Sequence, residues 1–311
     1  MGSDIHVTVV GGVPGLIDRA RARIDELEGK WSRFRPESEI SQLNDAAGAQ
    51  LQVSDDTKLL LHYAMEAWRI TGGGFDPTLL DALQRAGYDR SYDSPGGLDR
   101  PAADGADALQ VPALAMLRPG VTDIVLATEG VTLPAGMGFD PGGIGKGLTA
   151  DVTCGLLMDE GARGACVNMG GDLRVLGISP DGAGWTLAIE HPAVPEPIAL
   201  VGVGEGAVAT SSVLRRTWQI GGQARHHLID PATGEPSTSD LALVSVISGT
   251  AWKAEVLAKA VLLRGSERAF DLLDASAVAL TVDHDGRVRA SDGFVAHLGG
   301  VPLPEVLTLT R

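Results

Sequence analysis

The chain is short of cysteine, aromatic rings and lysine, and each shortage removes a class of explanation. Its two cysteines, Cys154 and Cys166, have no CxxC spacing, so a disulfide framework is not expected and both read as reduced core thiols. Aromatic residues make up 4% of the 311 positions, so the core must be mainly aliphatic. Positive charge is outnumbered, with 25 Lys and Arg against 40 Asp and Glu, and the net charge of −15 would repel nucleic acid or an anionic membrane. No apolar run approaches the length of a membrane span, and the opening MGSDIHVTVVGG lacks the basic region and long apolar run of a signal peptide. The chain as it stands is therefore expected to be cytoplasmic, with no membrane span and no nucleic-acid partner. An exported or lipid-anchored form stays open if the N-terminus was trimmed.

Lysine occurs only at Lys30, Lys58, Lys146, Lys253 and Lys259. One of these five sits in the most informative stretch, Phe139–Gly177, FDPGGIGKGLTADVTCGLLMDEGARGACVNMGGDLRVLG. It combines a glycine-rich turn, a helix-like run, and an apolar strand that ends in a second glycine turn at Asn168-Met169-Gly170-Gly171-Asp172. Glycines let backbone N–H groups approach an anion, and a helix N-terminus behind them favours negative charge. Two phosphate motifs fail here. A P-loop needs glycine where Asp140 stands and Ser or Thr where Gly147 stands, and the G-x-G-x-x-G fingerprint started by Gly143 and Gly145 meets Leu148. A plain strand-to-helix turn with a solvated lysine is the competing reading.

Periodicity gives a strand at 5–10, and a helix on which Ile17, Ala20, Ile24, Leu27 and Trp31 share a face. The polar segment WSRFRPESEISQLN follows, then a helix over 56–71 with Leu60, Ala64, Ala67 and Ile70 on one side, closed by Gly72-Gly73-Gly74. A Pro, Gly, Ser and Asp-rich stretch near 90–107 reads as a mobile surface excursion. Strands are expected at 121–127, 130–133, 165–169, 172–177, 185–190, 198–203, 207–211, 215–219, 226–229 and 242–247. Helices are expected near 146–160, 251–264 and 266–274, and a hairpin turns at Asp285-Gly286. Because helices and strands do not alternate regularly, the fold class is α+β with a mixed or antiparallel sheet and packed helices, and 1–311 reads as one domain.

Four separated blocks resemble the ApbE-like family, the FAD:protein FMN transferases. They are Trp31–Asn44 (WSRFRPESEISQLN), Gly72–Leu79 (GGGFDPTL), the glycine turn with its following N-x-G-G-D-L-R strand, and Ala207–Pro236 (AVATSSVLRR…HHLIDPATGEP). They occur in the family's order and run nearly end to end. The resemblance implies a T-fold-like core, bound FAD, Mg²⁺, and transfer of FMN to a threonine or serine hydroxyl of an acceptor flavoprotein with release of AMP. It matches Asp140 and Lys146 to flavin-contacting positions, with Gly142 in the same turn. Gly143 matches the position offering a backbone oxygen to the metal, and Met1 matches a residue packed on the nucleotide. Asp76 falls in the pocket-lining F-D block, Thr210 and Ser211 fall in the A-T-S turn, and His227 matches the family histidine. His227, Lys146 and Glu255 are the candidate catalytic groups. A satisfied structural histidine and a hydroxyl-bonded turn remain the plainer readings of His227 and of Thr210 with Ser211. Asp230 and Gly234 read as turn-formers. A hydrolase triad of Ser211, His227 and Asp230 is disfavoured, since no nucleophile elbow precedes it.

One block departs from the pattern. The family's "A-D-A-L-A-T-A-L" carries metal-binding Asp and Thr four residues apart, whereas this chain reads AEVLAKAV from Ala254 to Val261. Glu255 stands at the Asp position and can still bind Mg²⁺, but Lys259 replaces Thr and its ammonium only donates. Either Glu255 and Lys259 are an i,i+4 pair on a helix, or Lys259 fills the cation's place. The alternative function is therefore an FAD-binding homologue with lost or metal-independent transfer, acting as a flavin carrier or sensor.

Overall fold

The computed structural model describes residues 4–92, 97–100, 120–300 and 302–307. The excursion expected near 90–107 lies largely outside them, as does Met1. Six helices are present among the described residues: α1 (Leu16–Trp31), α2 (Glu39–Asp45), α3 (Asp55–Ile70), α4 (Leu80–Arg85), α5 (Gly145–Asp159) and α6 (Ala251–Arg264). The strands are β1 (Ile5–Val10), β2 (Val125–Ala127), β3 (Gly130–Thr132), β4 (Gly164–Met169), β5 (Asp172–Gly177), β6 (Trp185–Ile189), β7 (Ala199–Val203), β8 (Gly206–Ser212), β9 (Thr217–Ile220), β10 (Gln223–His226), β11 (Leu241–Ser248), β12 (Ala277–Asp283) and β13 (Val288–Ala290).

Seven strands form one sheet in the order β1-β4-β5-β8-β11-β12-β13, which is also their order along the chain. Every neighbouring pair is antiparallel. The α+β class and the antiparallel option for the sheet are thus both observed. One face of the sheet is covered by α1, α5 and α6 through Leu16, Ala20, Ile24, Leu157, Leu257 and Val261. The other face is covered by the β6–β7 hairpin and Phe294. β11 lies between both layers and is buried along its whole length. Val244 and Val246 face the helices while Leu243 and Ile247 face the hairpin, as strand alternation requires. A bulge between Leu241 and Leu243 returns Leu241 to the helix side. The same alternation keeps the cysteines apart: Cys154 packs among the helices and Cys166 with the hairpin layer, and both thiols are free.

A second apolar cluster, formed by α1, α2, α3 and the starts of α5 and α6, surrounds Trp31, Phe75 and Phe139. Several expected boundaries are corrected here. Residues 121–123 form a 3-10 turn rather than the start of a strand, and 266–274 contains only a 3-10 turn at Ser266–Arg268. The strand expected at 226–229 ends at His226, because Leu228 and Ile229 turn inward to apolar clusters. Leu16 rather than Ile17 is the buried residue at the start of α1. Helix α2 was hidden in the polar WSRFRPESEISQLN segment. Ser38 caps it by accepting the Ser41 N–H at 3.1 Å, and only Ile40 and Leu43 are buried, too few for a visible period.

Helices α5 and α6 hold each other by their N-termini. The Asp151 carboxylate of α5 accepts the Ala251 and Trp252 N–H groups at the start of α6, each at 2.9 Å. The Glu255 carboxylate of α6 accepts the Gly147 N–H at the start of α5 at 2.7 Å. Free N–H groups and positive dipole ends are thereby satisfied in both helices. Only glycine allows this approach, since a Cβ on Gly147 would lie 2.4 Å from the Ala251 carbonyl oxygen. Helix propensity alone would have Gly147→Ala stabilise α5 by about 1 kcal/mol, but a backbone overlap costs roughly 1–3 kcal/mol or more. Gly147→Ala is therefore expected to lower the urea midpoint. Gly155→Ala in the same helix, where a Cβ meets nothing within 4 Å, should leave it unchanged or raise it. Equal shifts for the two variants would show that the helices do not touch at Gly147.

Candidate functional site

A cleft of about 1110 Å³ opens where the start of α5, the β4–β5 turn, the end of β8 and the residues after α1 meet. Its floor is the glycine turn, and the other sequence blocks fix that turn in place. Asn44 accepts the Phe139 N–H at 2.7 Å and donates to the Phe139 carbonyl at 2.9 Å. The Asp140 N–H donates to the Pro77 carbonyl at 2.8 Å, and the Pro141 carbonyl accepts from Ile144 and Gly145. Asp76 stands beside this contact and shapes its own turn by accepting the Thr78 N–H at 2.8 Å and hydroxyl at 2.6 Å. The WSRFRPESEISQLN block thus holds the backbone of the turn through the Asn44 side-chain amide, and the GGGFDPTL block through the Pro77 carbonyl.

Charged groups converge in the cleft in pairs. Arg33 meets Asp140 at 2.9 Å, donates to the Tyr88 carbonyl at 3.0 Å, and lies over the Phe34 and Tyr88 rings. Lys146 is hydrogen-bonded to Asp172 and lies 3.5 Å from Glu255. Asp172 is 1% exposed, and its other oxygen accepts the Thr210 N–H at 3.3 Å. The Thr210 hydroxyl pairs with that of Ser245 at 2.7 Å. Burial pushes the Glu255 carboxyl up, to about 7, against the pull of the Lys146 ammonium. Burial likewise pulls Lys259 below its ordinary range, and Asp140, Glu255 and Asp76 pull it back.

His227 follows β10 into the cleft wall, its ring inclined at 66° to that of Tyr88. Its Nδ1 is sealed from solvent with no hydrogen-bond partner among the described residues. Burial, and then the charges of Arg216 and Lys259, hold the imidazole well below its usual range, so it is neutral at pH 7. Arg216 has φ 54, a conformation few non-glycine residues adopt. Asp230 accepts the Ala232 N–H at 2.9 Å and Gly234 has φ 71, so both shape their turn. The His227 Nδ1 makes no hydrogen bond with Asp230, so the two form no triad.

The structure brings Asp140, Gly142, Gly143, Lys146, Thr210, Ser211, His227, Glu255 and Lys259 together in this cleft. Asp76 stands just behind the floor. Sequence reading alone missed three residues of the site, Arg33, Asp172 and Arg216. All three lie inside the motif blocks, and for Arg33 and Asp172 the signal was the need of Asp140 and Lys146 for an ionic partner. Lys146 illustrates the point, because its ammonium is committed to two carboxylates and is not a free phosphate clamp.

Comparison with known proteins gives a consistent picture. A model described as the ApbE family matches residues 1–282. A protein of Treponema pallidum named FAD:protein FMN transferase is 31% identical over 91% of this chain and 81% of its own length. One of the same name from Vibrio cholerae is 27% identical over 90% and 83%. Among solved structures, an ApbE protein from Thermotoga maritima superposes with a TM-score of 0.82 at 22% identity, over 96% of each chain. The flavinyl transferase ApbE of Pseudomonas stutzeri does so with 0.79 at 24%, covering 97% of this chain and 95% of the other.

Removing Lys146 should cost more than one contact, because it strands Asp172 and Glu255. Breaking a buried pair from one side typically costs about 3–5 kcal/mol. Lys146→Met is expected to lower the unfolding free energy by that order, read from the denaturation curve, and adding Asp172→Asn should recover part of the loss. If Lys146→Met melts like the parent protein, Lys146 is a solvated turn residue.

Proposed function

The chain belongs to the ApbE family, and from that premise we propose that it is an FAD:protein FMN transferase acting on a flavoprotein bearing a threonine or serine acceptor. The observation that carries this reading is the cleft in which the neutral His227 imidazole meets the glycine turn, Lys146 and Lys259. FAD is the donor substrate, and a cleft of about 1110 Å³ is ample for a dinucleotide. The acceptor hydroxyl oxygen bonds to the FMN-side phosphorus, and the bond from that phosphorus to the bridging oxygen breaks. AMP leaves with the bridging oxygen, and the hydroxyl proton passes to the His227 imidazole. A neutral imidazole can take that proton at pH 7, whereas an imidazolium cannot. The ammonium and guanidinium groups of Lys259 and Arg216 offset the charge of the diphosphate.

Mg²⁺, which the family resemblance implies, does not fit the side chains present. The Glu255 carboxylate is already taken by the Gly147 N–H and faces Lys146. Its i,i+4 neighbour is Lys259, whose ammonium has no lone pair to offer. Among the described residues, no group of three or more His, Cys, Asp or Glu side chains could hold a metal ion. The same mismatch favours the second reading, an FAD-binding carrier or sensor without transfer.

Incubation with FAD and a flavin-acceptor domain decides between the two. The transferase reading requires AMP release together with an FMN-sized gain in acceptor mass, and its failure with FAD still bound leaves the carrier. His227→Gln should cut turnover by about 100- to 10,000-fold with little change in FAD affinity. Because burial and neighbouring cations hold the folded imidazole well below its usual range, the loss of rate attributable to its protonation should set in at lower pH than for a free imidazole. A half-maximal point near 6.5 would mean that another group takes the proton.

A further inference from the structure

The ammonium of Lys259 is packed onto the glycine turn rather than turned along its own helix. A Cβ built on Gly143 would lie 3.2 Å from the Lys259 Nζ and 2.9 Å from the Phe75 ring, so the ammonium rests directly above the Gly143 backbone. The Phe75 ring centroid is 5.4 Å from the same nitrogen, a cation–π distance. Asp76, Asp140 and Glu255 attract it from three different elements. Two of these carboxylates already have cationic partners, Asp140 in Arg33 and Glu255 in Lys146. Lys146 is shared with Asp172, so four carboxylates face Arg33 and Lys146, and Lys259 as a third fixed cation offsets part of the remaining negative charge beside the N-terminus of α5. We propose that Lys259 is a built-in counter-ion that stands where a divalent cation would otherwise sit, so that the cleft binds the diphosphate of its nucleotide without divalent metal.

The reasoning is one of charge and donor type. A divalent cation placed against Gly143 would meet an ammonium at contact distance, and Mg²⁺ requires oxygen ligands that an ammonium does not supply. Glu255 is not free to compensate. An ammonium donates three hydrogen bonds and suits phosphate oxygens as a point charge. A bound diphosphate would add to the pull of the three carboxylates and keep Lys259 charged. What the ammonium does not supply is Lewis acidity or a metal-bound water, so the chemistry falls to the positioned groups, His227 first.

This proposal rests on the flavin reading above, and the following experiment separates the two. The EDTA-dialysed protein is titrated with FAD by calorimetry, with and without millimolar Mg²⁺. In parallel, the nucleotide-free protein is titrated with Mn²⁺ and followed by electron paramagnetic resonance. The dissociation constants for FAD should agree within about twofold, and no stoichiometric Mn²⁺ should bind. Lys259→Met, shown to be folded by circular dichroism, should bind FAD about tenfold or more weakly in EDTA. A stoichiometric Mn²⁺ signal, or FAD affinity that rises about tenfold or more with Mg²⁺, overturns the built-in counter-ion and leaves the flavin reading standing. Absence of FAD binding in both conditions overturns both. The Mn²⁺ titration of the unmodified protein decides the matter even if the variant does not fold.

Discussion

The reciprocal capping of α5 and α6 is the constraint on which the site depends. Each helix begins within reach of a carboxylate from the other, Asp151 on one side and Glu255 on the other. Gly147 lets the two backbones touch. That contact fixes the start of α5, and with it Lys146 and the glycine turn. It also fixes the face of α6 that carries Glu255 and Lys259 into the same space. The sheet supplies the third side, since Asp172 at the start of β5 takes the Lys146 ammonium and orients the β8 strand through the Thr210 N–H. Glu255 thus both lines the cleft and caps a helix.

The cleft is a set of matched charges rather than a patch of one sign. Arg33 with Asp140 and Lys146 with Asp172 hold their geometry before any ligand arrives. The attraction within each pair and the hydrogen bonds around it offset the desolvation cost that isolated buried ions would bear in full. A chain with net charge −15 could not attract a dinucleotide by its overall field, so recognition has to be local.

Much of this was legible in the sequence. The α+β class followed from irregular alternation of helix and strand, and α6 was placed at its observed boundaries, Ala251–Arg264. The long helices carry a clear apolar period, while α2 and α4 are too short to show one. The site was legible as motif blocks but not as partnerships. The distance between Arg33 and Asp140, or between Asp172 and Lys146, is set by tertiary packing of segments far apart in the chain. Lys146 looked free because its partners belong to β5 and α6. Lys259 stood out as a departure in type, but only the fold shows that its stem carries the charge to Gly143.

The caps also tie folding to proton uptake. Burial raises Asp151 to about 6 and Glu255 to about 7, above the ordinary carboxylate values of 3.8 and 4.5. Between those limits the folded chain holds more protons at these two positions than the unfolded chain does. Their contribution to stability therefore grows as pH falls from neutrality and fades as pH rises through 6 to 7. Surface carboxylates such as Asp274, lowered to about 2 by hydrogen bonds from Ser276 and Lys253, work in the opposite sense and lose their contribution only in strong acid. The two buried caps therefore favour the folded chain more as pH falls toward their ordinary values, while the buried His227 imidazole, held below its usual range, works against it in acid.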